Sequence, residues 1–191
     1  MLKLFSQHKK HFIFALIVIL VGFLSGIIYY ILLNEETKLN ISYTIINYTN
    51  FKNNAIIKDL IIMSSLLVTS FFIIGLPLSI FYLFYEGLSY GFLISIFMHN
   101  FGISGLIYGS LFFVINEFLI LLLIIFFIKK LINITRFIIG GIIYKGDYLI
   151  KNKLLNNIYN ALYIIVFVLI INIILYFISP KIFDNLIFLL K

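Results

Sequence analysis

Long apolar runs without a single charged side chain are the feature that most constrains how this chain can fold. The first covers residues 12–33 and the second covers residues 60–85. A helix of about 20 apolar residues is about 30 Å long and crosses the hydrocarbon core of a bilayer. Such a helix satisfies its backbone polar groups internally, as a lipid environment requires. The two runs therefore predict two transmembrane helices.

A third apolar stretch, residues 87–128, contains only two ionisable side chains, His99 and Glu117. This stretch is too long for one crossing and just long enough for two, provided that the chain turns between residues 99 and 105. The limb before that turn is short, and it either crosses the bilayer as a thin or tilted span or forms one arm of a re-entrant hairpin. Together with a final apolar run, these features predict three further spans, at 87–101, 105–128 and 158–179.

Gly75 and Pro77 interrupt the second apolar run. Proline removes a backbone hydrogen bond and clashes with the preceding helical turn, so we expect a kink there. The chain, residues 1–191, is predicted to be one all-α domain, a polytopic membrane bundle of about five transmembrane segments with a kinked second span and a short third span. Its residues are 63% hydrophobic and 11% charged, whereas soluble domains are about 45–50% apolar and about 25% charged.

The segments between the spans hold most of the charge. Residues 34–58 form a polar loop, and residues 129–153 place six cations among apolar side chains. The second pattern predicts an amphipathic segment on the cytoplasmic membrane surface. Cytoplasmic segments of membrane proteins are enriched in Lys and Arg, so we predict a cytoplasmic N-terminus and an external 34–58 loop. The net charge of +7 follows from this topology, and no nucleic-acid partner is predicted.

Glu117 is the most unusual polar residue, because it lies near the middle of the predicted fourth span. A charge at that depth costs about 3 kcal/mol on insertion scales, and such residues face the protein interior or a water-filled cavity. With Asn116 and His99 it forms a candidate intramembrane polar centre. Glu117 either handles a proton or cation, or serves as a hydrogen-bond anchor between helices, and the sequence leaves both interpretations open.

Three pairs of glycines have the GxxxG spacing, which gives a helix a flat face and lets another backbone approach closely. The pairs are Gly22 with Gly26, Gly87 with Gly91, and Gly105 with Gly109. They predict tight packing, either inside the bundle or against the membrane helix of a partner. Self-association into a homo-oligomer stays open.

The residues that enzymes use for catalysis are poorly represented. The chain has no cysteine, and its sequence shows no nucleophile–base pair, no paired carboxylates and no phosphate-binding loop. An isolated histidine without a neighbouring His or Cys is weak support for a metal. We therefore predict a protein that is not an enzyme and that needs no metal and no cofactor.

A series of short motifs follows one order along nearly the whole chain. Its members are His8-Lys9-Lys10-His11-Phe12, Gly22 with Gly26, Ile74-Gly75-Leu76-Pro77, Glu86-Gly87, Gly91-Phe92, Asn100-Phe101-Gly102 and Ser179-Pro180. This series resembles the stage II sporulation protein M family of endospore-forming bacteria, in which a glutamate is also frequent at the place of Glu117. The chain departs from the family in lacking a proline just before Glu117 and in having Leu175 where relatives commonly have an acid.

The resemblance implies a non-enzymatic membrane scaffold of endospore formation. Members of this family recruit two peptidoglycan-degrading partners, stage II sporulation proteins P and D, to the septum for septal thinning and engulfment. The protein would then be a multi-pass component of the cell membrane, in contact with lipid and located at the sporulation septum. An alternative is a permease-like component that passes a small solute or ion, with Glu117 on its path and the kink at Pro77 as its gate.

Overall fold

The structure is a computed structural model that describes residues 2–47, 53–72, 74–116, 118–144 and 148–190. Within these ranges the chain forms six helices and no strand. The helices are α1 (Leu2–Leu32), α2 (Glu35–Asn47), α3 (Asn53–Thr69), α4 (Gly75–Asn116), α5 (Phe118–Tyr144) and α6 (Tyr148–Leu190). The predicted all-α helical bundle is confirmed.

Four segments of the described chain are helices that are long and apolar enough to cross a bilayer. They are Phe12–Leu32, Gly75–Ile107, Phe118–Gly140 and Lys151–Ile178. Many large apolar side chains of the first and last segments, such as Ile31 and Phe177, are exposed in the isolated chain. Exposure of this kind is expected for side chains that face lipid tails, which are as apolar as the side chains themselves.

Helices α1 and α4 lie side by side and run in the same direction. Gly22 faces the backbone of Phe84, and four residues later Gly26 faces the backbone of Leu88. Residue numbers therefore rise together along the two helices, which requires a parallel pair. We name the two ends of the bundle after residues of α4, the Gly75 end where that helix begins and the Gly102 end where it turns.

The segment predicted as one kinked span, residues 60–85, is divided between two helices. Helix α3 ends at Thr69 and α4 begins at Gly75, with Pro77 in its first turn. Proline is well tolerated there because the N–H that it lacks would have no partner within the helix. A Cβ on Gly75 would collide with the carbonyl oxygen of Thr69, so the absence of a side chain lets the two helix ends meet.

Hydroxyl groups satisfy backbone carbonyls on both sides of this connection. Ser70 Oγ donates to the Leu67 carbonyl at 2.6 Å, and Ser79 Oγ donates to the Gly75 carbonyl at 2.7 Å. Thr135 of α5 donates its hydroxyl to the Ser70 carbonyl, also at 2.7 Å. A buried carbonyl without a partner would cost about 1–3 kcal/mol. The Thr135 bond also places the C-terminal half of α5 at the Gly75 end.

Helix α4 consists of two arms that meet at Gly102, where φ is 60° and ψ is −141°. Glycine adopts this positive φ at little steric cost. A Cβ on Gly105 would collide with the carbonyl oxygen of Phe97, although eight residues of straight helix would separate the two by about 12 Å. The chain therefore folds back at Gly102, inside the turn expected between residues 99 and 105.

Other helix boundaries also differ from the sequence-based ones. Helix α5 runs without a break to Tyr144, so much of the predicted interfacial segment 129–153 continues this helix. The reason is packing: Leu131 and Ile134 are buried in the bundle core while Arg136 is exposed, which is the pattern of an amphipathic helix. The predicted loop 34–58 is largely helical as well, since it contains α2 and the beginning of α3. Helix α6 likewise extends beyond the predicted end at residue 179.

Candidate functional site

Helices α1 and α4 are in direct backbone contact through four glycines, which we call the glycine seam: Gly22 and Gly26 of α1, Gly87 and Gly91 of α4. At each position a carbonyl oxygen of the other helix occupies the space that a Cβ would need. Those oxygens belong to Phe84, Leu88, Ile19 and Phe23, respectively. The structure thus brings two of the predicted GxxxG pairs together, facing each other within one chain.

The third GxxxG pair lies on the second arm of α4. Gly105 leaves room for the carbonyl oxygen of Phe97, and a Cβ on Gly109 would lie 3.1 Å from Phe97 Cβ. This pair therefore lets the two arms of α4 approach each other next to the Gly102 turn. Small residues at this place permit a hairpin that larger side chains would hold open.

Glu86 lies within the first arm of α4 and is only 7% exposed. Tyr82 and Tyr90, which lie four residues before and after it, are buried, and their phenol groups interact with its carboxyl group. Across the helix interface, Lys58 and Asp59 of α3 interact with it electrostatically. An acid that is removed from water in this way needs such partners, because an isolated buried charge is strongly disfavoured.

Asp59 connects α3 to α6. Asn172 Nδ2 donates a hydrogen bond to Asp59 Oδ2 at 3.0 Å, and Asn172 is itself buried. Helix α3 is not one of the four candidate spans. Burial raises the pKa of Asp59, opposed by the Asn172 hydrogen bond and the charge of Lys58. The Lys58 ammonium also lies 5.1 Å from the centre of the Tyr85 ring, within cation–π range.

Together, Lys58, Asp59, Glu86 and Asn172 form what we call the polar cluster, which joins α3, α4 and α6. Its hydrogen bonds and charges anchor three helices to one another. Its two carboxyl groups are also able to accept and release protons. In the parts of the chain that the structure describes, no three His, Cys, Asp or Glu side chains come together as a metal site would need.

The sequence does not predict the polar cluster, because Asp59 and Glu86 directly flank the charge-free run 60–85 that is predicted to be a span. Glu86 instead lies inside a continuous helix. The signal that could have identified it is local: Tyr82, Glu86 and Tyr90 are spaced four residues apart, which places them on one helix face. The long-range contact between Asp59 and Asn172 has no comparable signal in the sequence.

A second group of polar side chains lies at the Gly102 end. We call it the Gly102-end cluster, and it consists of Tyr30, Glu35, Lys38 and His99. Lys38 Nζ donates to Glu35 Oε1 at 2.7 Å, and His99 Nε2 lies 3.7 Å from Glu35 Oε2. The hydrogen bond and charge of Lys38 lower the pKa of Glu35, and His99 contributes in the same direction.

Tyr30 provides the aromatic surface of this cluster. Its ring centre lies 5.8 Å from that of His99 in an edge-to-face arrangement, and the Lys38 ammonium lies 5.9 Å from it. The Tyr30 ring also meets Phe92 edge to face at 5.5 Å. These contacts fix the end of α1, the beginning of α2 and the end of the first arm of α4 relative to one another.

The polar centre predicted from Glu117, Asn116 and His99 is described only in part. Glu117 and the side chain of Asn116 lie outside the described residues, and the backbone of Asn116 ends α4. His99 belongs to the Gly102-end cluster, where its neighbours are Tyr30 and Glu35. The grouping of His99 with Glu117 and Asn116 stays a prediction.

No protein-family model, no curated protein and no solved structure matches the chain. The resemblance to the stage II sporulation protein M family therefore stays a prediction from sequence motifs.

Proposed function

We propose that this protein is a non-enzymatic membrane scaffold of endospore formation, which holds peptidoglycan-degrading partners at the sporulation septum. The observation that carries the proposal is the position of α2, a helix outside the candidate spans that is fixed to one end of the bundle. The resemblance to the stage II sporulation protein M family supplies the biological setting and the expected partners, stage II sporulation proteins P and D.

Helix α2 turns one face to the bundle and leaves another free. Lys38 and Ser42 are buried against the bundle, whereas Glu36, Thr37 and Leu39 are exposed. A binding helix that is already fixed in place loses less conformational entropy when a partner docks. The exposed face of α2 is therefore a favourable surface for recruiting another protein.

The glycine seam gives this surface a stable base. Helix α1 leads directly into α2, with hydrogen bonds from the Leu33 N–H to the Tyr30 carbonyl and from the Lys38 N–H to the Asn34 carbonyl. Because α1 packs so closely on α4, the position of α2 is set by two parallel helices rather than by one.

The proposal includes an orientation in which the Gly75 end faces the cytoplasm and the Gly102 end, with α2, faces the peptidoglycan. The bond from Thr135 to Ser70 supports it, since it places Arg136, the next residue, in the half of α5 that lies toward the Gly75 end, with Lys129 and Lys130 close to the middle of that helix. Cytoplasmic ends of transmembrane helices are enriched in Lys and Arg. The N-terminus is cytoplasmic in this orientation.

Affinity capture from sporulating cells tests the scaffold directly. The tagged protein is expected to retain stage II sporulation proteins P and D, and Glu36→Lys with Leu39→Lys is expected to reduce that capture at an unchanged protein level. A matched control is Lys151→Glu, which changes an exposed charge on α6. Engulfment that proceeds normally in a deletion strain would contradict the proposal.

A second candidate is a permease-like component for a small solute or ion, and Glu86 is the observation that favours it. The sequence pointed to Glu117 and to a kink at Pro77 for this activity. Glu117 lies outside the described residues and Pro77 lies in the first turn of α4, so the described acid within a candidate span is Glu86. Such residues often mark ion or proton pathways.

Flux into liposomes that contain the purified protein tests this second candidate. Proton or cation uptake that is lost in Glu86→Gln and kept in Glu36→Gln would support it, provided that both variants have the helical content of the unmodified protein. The scaffold instead predicts no flux above that of empty liposomes, and partner capture that is preserved in Glu86→Gln.

A further inference from the structure

Two different interactions attach α2 to the rest of the bundle at the Gly102-end cluster. The first is the Lys38 ammonium above the ring of Tyr30, which belongs to α1. The second is the approach of His99 Nε2 of α4 to Glu35 Oε2 at 3.7 Å. Only the second joins groups of opposite charge from different helices, and it exists as an ion pair only when His99 is protonated.

We propose that His99 and Glu35 form a proton-operated latch, which holds α2 against the first arm of α4 when His99 is protonated and loosens it when His99 is neutral. Histidine is the side chain whose ordinary titration lies between pH 5 and 8. Lysine side chains ordinarily titrate well above that range. The contact between Lys38 and Tyr30 is therefore constant, and the contact between His99 and Glu35 is the part that pH controls.

The surroundings of His99 are suited to this role. One third of its side chain is exposed, and its acidic partner Glu35 lies just beyond the candidate span Phe12–Leu32. The titratable and charged groups that face it are Tyr30 from α1 and Glu35 at the start of α2, with Lys38 beyond Glu35. The ring contact with Tyr30 keeps the imidazole in place in both protonation states.

Glu35 contacts both Lys38 and His99, and this limits how strongly protonation of His99 can hold α2 in place. Its 2.7 Å contact with Lys38 lies within α2 and does not attach that helix to α4. Glu35 has 73% of its side chain exposed, and exposed ion pairs are weak. We therefore expect protonation of His99 to change the ratio of attached to detached α2 by about two- to fivefold.

The absence of cysteine from the chain allows a direct test. Two cysteines are introduced at exposed positions, Leu39→Cys on α2 and Ile103→Cys just after the Gly102 turn. Nitroxide labels on both report their separation by electron paramagnetic resonance, with the full-length protein in lipid nanodiscs at pH 5 and at pH 8. The ratio of the short-separation population to the long-separation population is expected to be about two- to fivefold lower at pH 8 than at pH 5.

Three variants test whether His99 and Glu35 cause the pH-dependent change in label separation. His99→Gln and Glu35→Gln are each expected to remove the pH dependence, and Glu36→Gln, which neutralises the neighbouring exposed acid, is expected to keep it. An unchanged distance distribution between pH 5 and pH 8 would overturn the latch. A pH dependence that survives in His99→Gln and Glu35→Gln would overturn it as well.

The regulatory meaning of the latch rests on the proposed scaffold function, because α2 is the helix that would present partners with a surface. The two proposals fail in different experiments. The spin-label measurement contains no partner, so its outcome concerns the latch alone, while failure of partner capture concerns the scaffold alone. If both hold, capture at pH 5 and at pH 8 is expected to differ by about the same two- to fivefold factor.

Discussion

The glycine seam and the polar cluster hold α4 in opposite ways. At the seam α1 and α4 are fixed by shape, since carbonyl oxygens of each helix fill the space where a side chain would begin. At the polar cluster α3, α4 and α6 are fixed by a few charges and hydrogen bonds, such as the 3.0 Å bond between Asn172 and Asp59. The glycine seam therefore depends on the small volume of its residues, and the polar cluster depends on the charges and hydrogen-bonding groups of its side chains.

This difference explains what each region tolerates. A seam without titratable groups is insensitive to pH, but even one added methyl group forces the helices apart. A polar cluster accepts side chains of similar size that still form hydrogen bonds, but it responds to protonation and to loss of a donor or acceptor. The two regions thus give the bundle one rigid contact and one adjustable contact.

The largest expected effect comes from adding volume to the seam. Gly91→Leu places a side chain where the Phe23 carbonyl oxygen now lies, so we expect the free energy of unfolding to fall by about 3 kcal/mol or more. The quantity is measured by denaturant titration in mixed micelles, followed by circular dichroism.

Gly140 of α5 is the control position, and the smaller substitution Gly91→Ala is compared with Gly140→Ala. A Cβ at Gly140 would have no neighbour within 4 Å, so Gly140→Ala is expected to leave stability unchanged or to raise it by up to about 1 kcal/mol through helix propensity. If Gly91→Ala and Gly140→Ala had equal effects, close packing would not be what holds α1 to α4.

The next largest loss of stability is expected from removing the hydrogen bond between Asn172 and Asp59. Asp59→Ala leaves the buried Asn172 amide without this acceptor, which should lower the free energy of unfolding by about 1–3 kcal/mol. Asp59→Asn keeps an acceptor oxygen at the same place and should cost less than Asp59→Ala in the same titration. Equal losses in the two variants would show that the hydrogen bond to Asn172 is unimportant.

The polar cluster should also make stability depend on pH through Asp59. Because burial raises the pKa of Asp59 in the folded protein, the folded state binds this proton more readily than the unfolded state does. The proton on Asp59 therefore stabilises the folded state at pH values below the ordinary pKa of an aspartate. This stabilisation is lost as the pH rises through the higher pKa that Asp59 has in the folded protein. The slope of unfolding free energy against pH should be less negative in Asp59→Asn than in the unmodified chain.

Glu36→Gln provides the control for that pH series, because it removes an exposed carboxyl group on α2, away from the polar cluster. Its curve should follow that of the unmodified chain. A steeper negative slope in Asp59→Asn would contradict the direction of the Asp59 pKa.

The smallest effect is expected at the exposed edge of the polar cluster. Lys58→Met removes the cation that lies 5.1 Å from the Tyr85 ring, and an exposed contact of this kind contributes about 0.5–1 kcal/mol. A double-mutant cycle with Tyr85→Leu measures the coupling between the two side chains. A coupling of zero would remove this contact from the description of the cluster.

The contrast between the two regions also explains what the sequence could predict. Glycine pairs with the GxxxG spacing indicate close helix packing, and Asn100-Phe101-Gly102 indicates a turn. Both patterns can be recognised in the sequence because each depends on residues that are close together along the chain. The sequence left open whether the glycines serve a partner or the bundle itself, since that choice depends on which helices meet. Gly22 and Phe84 are far apart in the sequence, so their contact leaves no local pattern.

The polar cluster was beyond sequence analysis for a different reason. Charged residues are costly in lipid, so the sequence places Glu86 outside the charge-free run 60–85, but burial between helices with Tyr82 and Tyr90 as partners removes much of that cost. The sequence also does not predict that α3 and α4 are two helices, because Pro77 indicates a disturbed helix without showing whether the helix bends or ends. Tertiary contacts, such as the bond from Thr135 to Ser70, decide that outcome.

Disulfide formation between introduced cysteines is the most direct test of the central claim, the parallel packing of α1 on α4. The Tyr30 and Phe92 rings lie 5.5 Å apart, whereas Leu78 lies near the opposite end of the first arm of α4. In cell membranes, Tyr30→Cys with Phe92→Cys should form a cross-link within the chain, and Tyr30→Cys with Leu78→Cys should not. A cross-link in the second pair and none in the first would mean that the helices run antiparallel, contrary to the structure.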